Sequence, residues 1–128
     1  MDKVILVDNN INAGISLITR LDNAEFPVYS AFWYLDMSSS TWKLIIGSPR
    51  INSVGPLEAY GQIFQHVIDM NPNDLSIKDI VILSPDNTLI ALLSSVFHTE
   101  RTQINGLRIT NNTINNFFVT DAYIYRLS

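Results

Sequence analysis

The stretch from Trp42 to Met70, WKLIIGSPRINSVGPLEAYGQIFQHVIDM, constrains the fold more than any other part of this chain. It passes from a dense apolar strand through a Ser-Pro turn and a Gly-Pro helix start into an amphipathic helix. The switch in hydrophobic period from two to about 3.6 marks a strand-loop-helix unit. A shorter version recurs at Ile80 to His98, IVILSPDNTLIALLSSVFH, where a strand again meets Ser-Pro and then a helix. Strands interleaved with helices in this way must bury the helices against a sheet.

Read in order, Val4 to Val7 is a short apolar strand or the first turn of the helix after it. From Asn9 to Asn23, Ile11, Ile15, Ile18 and Leu21 fall at helical spacing, with Asp8 or Asn9 as cap. Pro27 disfavours helix at Phe26 and ends it. Val28 to Asp36 and Trp42 to Ile46 read as an antiparallel hairpin, with Trp42, Leu44 and Ile46 on one face. Pro56 suits a first helical position, and Tyr60, Ile63, Phe64, Val67 and Met70 form that helix's apolar stripe, stopped by Asn71-Pro72-Asn73-Asp74.

Ile80 to Leu83 reads as an interior strand. Ser84 caps the next helix, Pro85 enters its first turn, and Leu89, Leu93, Val96 and Phe97 face the core. The C-terminal part reads as three short strands, Leu107 to Thr110, Ile114 to Thr120 and Ala122 to Leu127, separated by Asn-Asn and Thr-Asp turns, with Tyr123, Tyr125 and Leu127 on one face of the last. The expected fold is a single α+β domain over residues 1–128. Its sheet is mixed or antiparallel, of about five to six strands, with three helices packed on it.

At 128 residues, with 47% hydrophobic and 16% charged residues, the chain can close one core and leaves uncharged surface to expose or to bury in a contact. Its eight basic residues are scattered and the net charge is −4, so no stripe exists to neutralise successive phosphates of double-stranded nucleic acid or an anionic membrane surface. No apolar run approaches the roughly 20 residues that span a bilayer, and the apolar run of four near the N-terminus is too short for a signal-peptide core. A cytoplasmic location is expected. With no cysteine, thiolate metal sites and cysteine nucleophiles are excluded.

Four constellations carry candidate chemistry. His66 and Asp69 lie three apart on the wet face of a helix, and His98 and Glu100 alternate in an extended segment; either pair could orient a base or meet a cation. Asp69, Asp74, Asp79 and Asp86 recur near element ends but lack the alternation of a calcium loop, and capping explains each of them. If the strands before Ser48-Pro49-Arg50 and Ser84-Pro85-Asp86 are parallel neighbours, both turns lie at strand carboxyl ends beside helix starts. Ser48, Arg50, Ser84 and Asp86 then become candidates for a small anionic ligand. No glycine-rich phosphate loop accompanies them. Finally, the aromatic set Phe32, Trp33, Tyr34, Trp42, Phe117, Phe118, Tyr123 and Tyr125 exceeds what one small core face absorbs. From it Trp33, Trp42, Phe118, Tyr123 and Tyr125 are expected in a contact surface.

GPLEAY at residues 55–60 and DAYIYRL at 121–127 resemble motifs of small uncharacterised bacterial proteins. That resemblance implies neither an activity nor a functional residue. No catalytic residue, metal site or cofactor is indicated. The pattern favours a small non-enzymatic interaction or regulatory module that binds a protein partner or a second copy of itself as a homodimer. The alternatives are an anion-binding domain at the Ser48 and Ser84 turns and a metal-dependent hydrolase using His66 or His98.

Overall fold

The computed structural model describes residues 5–70 and 74–128. In chain order the elements are α1 (Asp8–Asn23), β1 (Ser30–Asp36), β2 (Thr41–Gly47), α2 (Arg50–Ser53), α3 (Pro56–Val67), β3 (Ile80–Leu83), α4 (Thr88–Ser94), β4 (Leu107–Ile114) and β5 (Phe117–Leu127). The strands form one sheet in the order β3-β2-β1-β5-β4, parallel between β2 and β3 and antiparallel elsewhere. This is the α+β class with a mixed five-stranded sheet. The four-residue α2 joins the three expected helices.

Ile5 to Val7 is irregular rather than a strand, and Val4 lies outside the described residues. Asn10, not Asp8 or Asn9, supplies the cap of α1: its Oδ1 accepts the Val7 amide at 3.0 Å, one of the orphan donors of a helix start. The buried face of α1 is Ala13, Gly14, Leu17, Ile18 and Leu21, while Ile15, expected on the stripe, is 36% exposed and outside the core. Ala24 closes the helix onto Arg20 and Asp22, and Glu25 then takes a left-handed φ of 60°.

The sheet is covered on both sides. α1 and α3 pack on the face carrying Ala31, Trp33, Trp42, Leu44, Ile46, Ile80, Ile82 and Tyr125. The other face carries Phe32, Ile45, Ile109, Val119, Ala122, Ile124 and Leu127, and against it lies the short α4 with Ile90 and Leu93. Period-two alternation along β1 and β2 sends successive apolar residues to opposite cores, which explains strands apolar on both sides. β3 is the edge strand beside β2, and one of its amides, that of Ile82, donates to the Tyr60 hydroxyl of α3 at 2.9 Å.

The C-terminal third departs from the expected three short strands. β4 and β5 form one long hairpin turned by Asn115 and Asn116, both at positive φ (48° and 67°), as a two-residue turn matching strand twist requires. Thr120-Asp121 is no turn: Asp121 sits in the ladder opposite Thr110. Asn111, at φ 48°, interrupts the alternation of β4, so Ile109 and Ile114 reach the same core although five positions apart.

A second irregularity lies in β5. Ile124 pairs with Phe32 and Arg126 with Ala31, which leaves Tyr125 as the extra residue of a β-bulge. The expected common face of Tyr123, Tyr125 and Leu127 is therefore broken. Tyr125 points to the α1 side, where Arg126 also meets α1, and Leu127 falls into the opposite core.

The other two helices also differ from expectation in their faces. α3 ends at Val67 rather than Met70, and Asn71, Pro72 and Asn73 of the expected stop lie outside the described residues. Its buried residues are Ala59, Ile63 and Val67, with Phe64 outside the core. Asn87 caps α4 by accepting the Leu89 amide at 2.9 Å, so Ser84 and Pro85 form a turn before the helix rather than its start. Val96 is exposed beyond its end.

Candidate functional site

β2 and β3 are parallel neighbours, in register from Leu44↔Ile80 to Gly47↔Leu83, so Ser48 and Ser84 do share the carboxyl end of the sheet. Ser48 is fully buried; its amide donates to Leu83 O at 3.0 Å, and its Oγ accepts the Arg50 amide at 3.1 Å. Asn52 Nδ2 donates to Ser84 Oγ at 2.9 Å, and that hydroxyl donates to Asp86 Oδ1 at 2.5 Å. Ser48, Ser84 and Asp86 are thus brought together.

Arg50 is not among them. Its guanidinium donates to Gln62 Oε1 at 2.9 Å and to Glu25 O at 3.2 Å, and stacks 5.0 Å from the centre of the Phe26 ring. The cation that would recognise an anion ties α2 to α3 and to the turn after α1 instead. What faces the corner is the Asp86 carboxylate. The adjoining helices have only four and seven residues, so little aligned dipole stands behind their amides.

The histidines assemble no centre. His66 is half-buried near the end of α3, and its carbonyl accepts the Asp69 amide at 3.3 Å, which closes the helix end. His98 and Glu100 are exposed beyond α4. Asp79 accepts the Ser76 amide at 3.2 Å, and Asp74 gives its carbonyl to Asn10. Among the described residues no group of three or more His, Asp or Glu side chains is placed to hold a metal ion.

The expected aromatic contact surface is largely interior. Trp33, Trp42 and Tyr125 are buried in the core under α1, with exposures of 0%, 4% and 0%. The aromatics distribute over two cores because the sheet is covered on both faces, a capacity that a one-faced sheet would lack. Trp33 Nε1 donates to the Tyr125 hydroxyl at 2.9 Å, which donates to Ile11 O at 2.7 Å, linking β1, β5 and α1. Burial holds the Tyr125 hydroxyl well above the usual tyrosine range. Tyr123 is half-buried, edge-on to Tyr125 at 5.4 Å, and Phe118 is exposed.

Arg126 passed unnoticed in the sequence. Only 1% of it is exposed, and it makes a two-point pair with Asp22 (Nη1–Oδ1 3.0 Å, Nη2–Oδ2 2.8 Å) with further bonds to Val28 O and Gln103 O. Its partners come from α1, the turn after it and the segment before β4. Nothing in the local pattern DAYIYRL marks a buried arginine, because its inward direction depends on the bulge.

Among the exposed apolar residues of the described chain, one set lines up on α3. Leu57 is 91% exposed, Phe64 42% and Ile68 55%, and Gly61 has open space where a side chain would begin. Positions 57, 61, 64 and 68 follow the i, i+4, i+7, i+11 spacing of a single helical stripe. The buried stripe of Ala59, Ile63 and Val67 lies on another side of the same helix, so α3 has two apolar faces and the domain uses one. Phe64, expected on the core stripe, belongs instead to this second face, whose spacing is present in the sequence.

A further apolar cleft of about 360 Å³ opens on the α4 side of the sheet between Tyr34, Ile45, Val81, Leu89 and Phe117, with Asp36 and Lys43 at its rim. No helix among the described residues is long and apolar enough to cross a membrane. Comparison with protein-family models, with curated proteins and with solved structures gives no match to this chain.

Proposed function

We propose that this chain is a small, non-enzymatic, cytoplasmic interaction module that self-associates through the outer face of α3. The observation that carries the reading is Leu57, an aliphatic side chain 91% exposed in the first turn of a well-formed helix, in line with Phe64 and Ile68. Isolated exposed apolar residues are ordinary on protein surfaces; three on one stripe of one helix form a patch of the kind that contacts use. No charged residue interrupts the stripe. The contact surface foreseen on the aromatic sheet moves to this helix, because Trp33, Trp42 and Tyr125 are already spent in the core.

Sedimentation velocity over a roughly hundredfold range of concentration tests this, since association then follows mass action. The expected result is a weight-average mass that rises toward the dimer for the native chain and stays at the monomer for Leu57→Asp and Phe64→Glu. Leu57→Asp places its charge at a site 91% exposed, so the fold is retained there, and circular dichroism checks the fold of Phe64→Glu, whose site is 42% exposed. A native chain that remains monomeric throughout refutes the reading.

A further inference from the structure

Asn105-Gly106 is the one Asn-Gly step in the chain, and it lies in an exposed, irregular segment ahead of β4. We propose that Asn105 is a self-modification site: without enzyme or cofactor it converts to aspartate and isoaspartate, and the isoaspartate alters the start of β4.

The chemistry needs only these two residues and water. Once deprotonated, the Gly106 amide nitrogen attacks Cγ of Asn105. The new N–Cγ bond closes a cyclic succinimide as the Cγ–Nδ2 bond breaks and the side-chain nitrogen leaves as ammonia. Water then opens the ring at either carbonyl. One opening leaves an ordinary aspartate; the other routes the main chain through Cβ and Cγ as isoaspartate. One water is consumed, one ammonia is released and no electron is transferred. Glycine suits the attacking position best, since it has no Cβ to hinder the ring or restrict the backbone.

The fold leaves both reacting groups free. Among the described residues the Asn105 carboxamide has no hydrogen-bond partner, and neither has the Gly106 amide, which stands just before the first ladder pair of β4, Leu107 with Ile124. Other asparagines are held back. Asn10 and Asn87 commit Oδ1 to the Val7 and Leu89 amides. The amide that would attack Asn23, that of Ala24, donates to Arg20 O at 3.0 Å, and the one that would attack Asn52, that of Ser53, donates to Pro49 O at 3.1 Å. Every one of these is also followed by a residue with a β-carbon.

The consequence follows from how the step is anchored. The Asn105 amide donates to Tyr125 O at 2.7 Å, and Leu107 pairs with Ile124, so both ends of the step are pinned to neighbouring residues of β5. Between them Gly106 lies against Tyr123, whose hydroxyl a β-carbon at Gly106 would meet. Isoaspartate adds a main-chain carbon and a negative charge inside this short span, and one of the two anchors must give way.

Trypsin makes the test internal to the chain. Cleavage after Arg101, Arg108 and Arg126 gives peptide 102–108, whose only asparagine is Asn105, and peptide 109–126, which holds Asn111, Asn112, Asn115 and Asn116 as controls. The native chain is kept folded in mildly alkaline buffer for several weeks, digested and followed by mass spectrometry. Peptide 102–108 is expected to change from amide to acid at least about tenfold faster than peptide 109–126, at a rate close to that of the free synthetic peptide, and to split into two chromatographic products. A rate no faster than that of the control peptide, or one slowed about tenfold or more by folding, overturns the proposal. So does an Asn105→Gln chain whose peptide 102–108 changes as fast as the native one. For the product, the isoaspartyl chain separated by ion exchange is expected to unfold at lower urea than the native chain, while Asn105→Asp, which adds the charge without the carbon, stays near it. An isoaspartyl chain with the native midpoint would show that the start of β4 is not altered.

Discussion

Gly14 sets two effects of opposite sign against each other, and the structure says which wins. It lies inside α1, where replacing glycine by alanine ordinarily gains up to about 1 kcal/mol of helix propensity. A β-carbon at Gly14 would fall 2.2 Å from the Tyr125 hydroxyl and 2.7 Å from the ring carbon that bears it. That hydroxyl is not a free end. It is fixed by the Trp33 indole at 2.9 Å and by the Ile11 carbonyl at 2.7 Å, on a ring buried at a bulge. Overpacking of this kind costs about 1–3 kcal/mol, and displacing the hydroxyl from its two bonds adds about 1 kcal/mol for each bond weakened. Net of the helix gain, Gly14→Ala should destabilise by about 2–4 kcal/mol. Tyr125→Phe removes the nearest atom of the clash, so the Gly14→Ala/Tyr125→Phe double variant should cost at least 1 kcal/mol less than the sum of the singles, within the usual range for contacting residues. Urea titration with an unchanged slope measures each value. A Gly14→Ala chain as stable as the native one, or additive singles, would show that α1 does not press on Tyr125 as described.

Four further substitutions separate the buried features from the more open ones. Asp22→Ala leaves the Arg126 guanidinium, 1% exposed, without its two-point partner and should cost about 2–3 kcal/mol, below the figure for a fully buried pair because Asp22 is itself partly exposed. Asp121→Ala breaks the more open pair with Arg108 and should cost under about 1 kcal/mol; equal losses in urea titration would refute the distinction. Ser30 Oγ is buried without a hydrogen-bond partner, so Ser30→Ala should leave stability unchanged or raise it by up to about 1 kcal/mol, and a clear loss on denaturation would mean the hydroxyl is bonded. Tyr125 is held above its usual range by burial, so the folded chain keeps its proton while the unfolded chain releases it. Stability from this group is complete below about pH 10 and should fall by up to about 1.4 kcal/mol per pH unit above it. Tyr125→Phe should flatten that alkaline limb, and an identical limb in the variant would remove Tyr125 as its source.

How far the sequence spoke depended on how local each device is. The β1-β2 hairpin was legible because two dense apolar and aromatic runs stand on either side of a short polar loop, and the parallel placing of β3 beside β2 was legible as a condition on the two Ser-Pro turns. Cap positions shifted by a residue or three. Asn10 and Asn87, rather than Asp8 and Ser84, accept the orphan amides, since several polar residues at each start compete for one geometry. The β4-β5 hairpin was cut into three because Asn111 and Thr120-Asp121 look like turn chemistry. Only pairing across the hairpin shows that Asn111 bends a continuous strand while Asn115-Asn116 turns it. Of the expected contact residues, Trp33, Trp42 and Tyr125 lie in the core for a reason that is equally non-local. Trp33 and Tyr125 are 92 positions apart, and no local pattern indicates that they share a hydrogen bond under α1.

The bulge at Tyr125 decides which core each of the last residues of β5 enters. Without it, Arg126 would face the α4 core and Leu127 the α1 side. A charge would then enter an apolar cluster with no partner, at a cost of several kcal/mol. With it, Tyr125 reaches Trp33 and α1 while Arg126 reaches Asp22, so one extra residue in one strand fastens α1 across the middle of the sheet. α3 packs beside α1 on that same face, and its inner stripe is satisfied by Ala59, Ile63 and Val67 alone. Leu57, Phe64 and Ile68 lie off that inner stripe and stay exposed, and the proposed self-association rests on them.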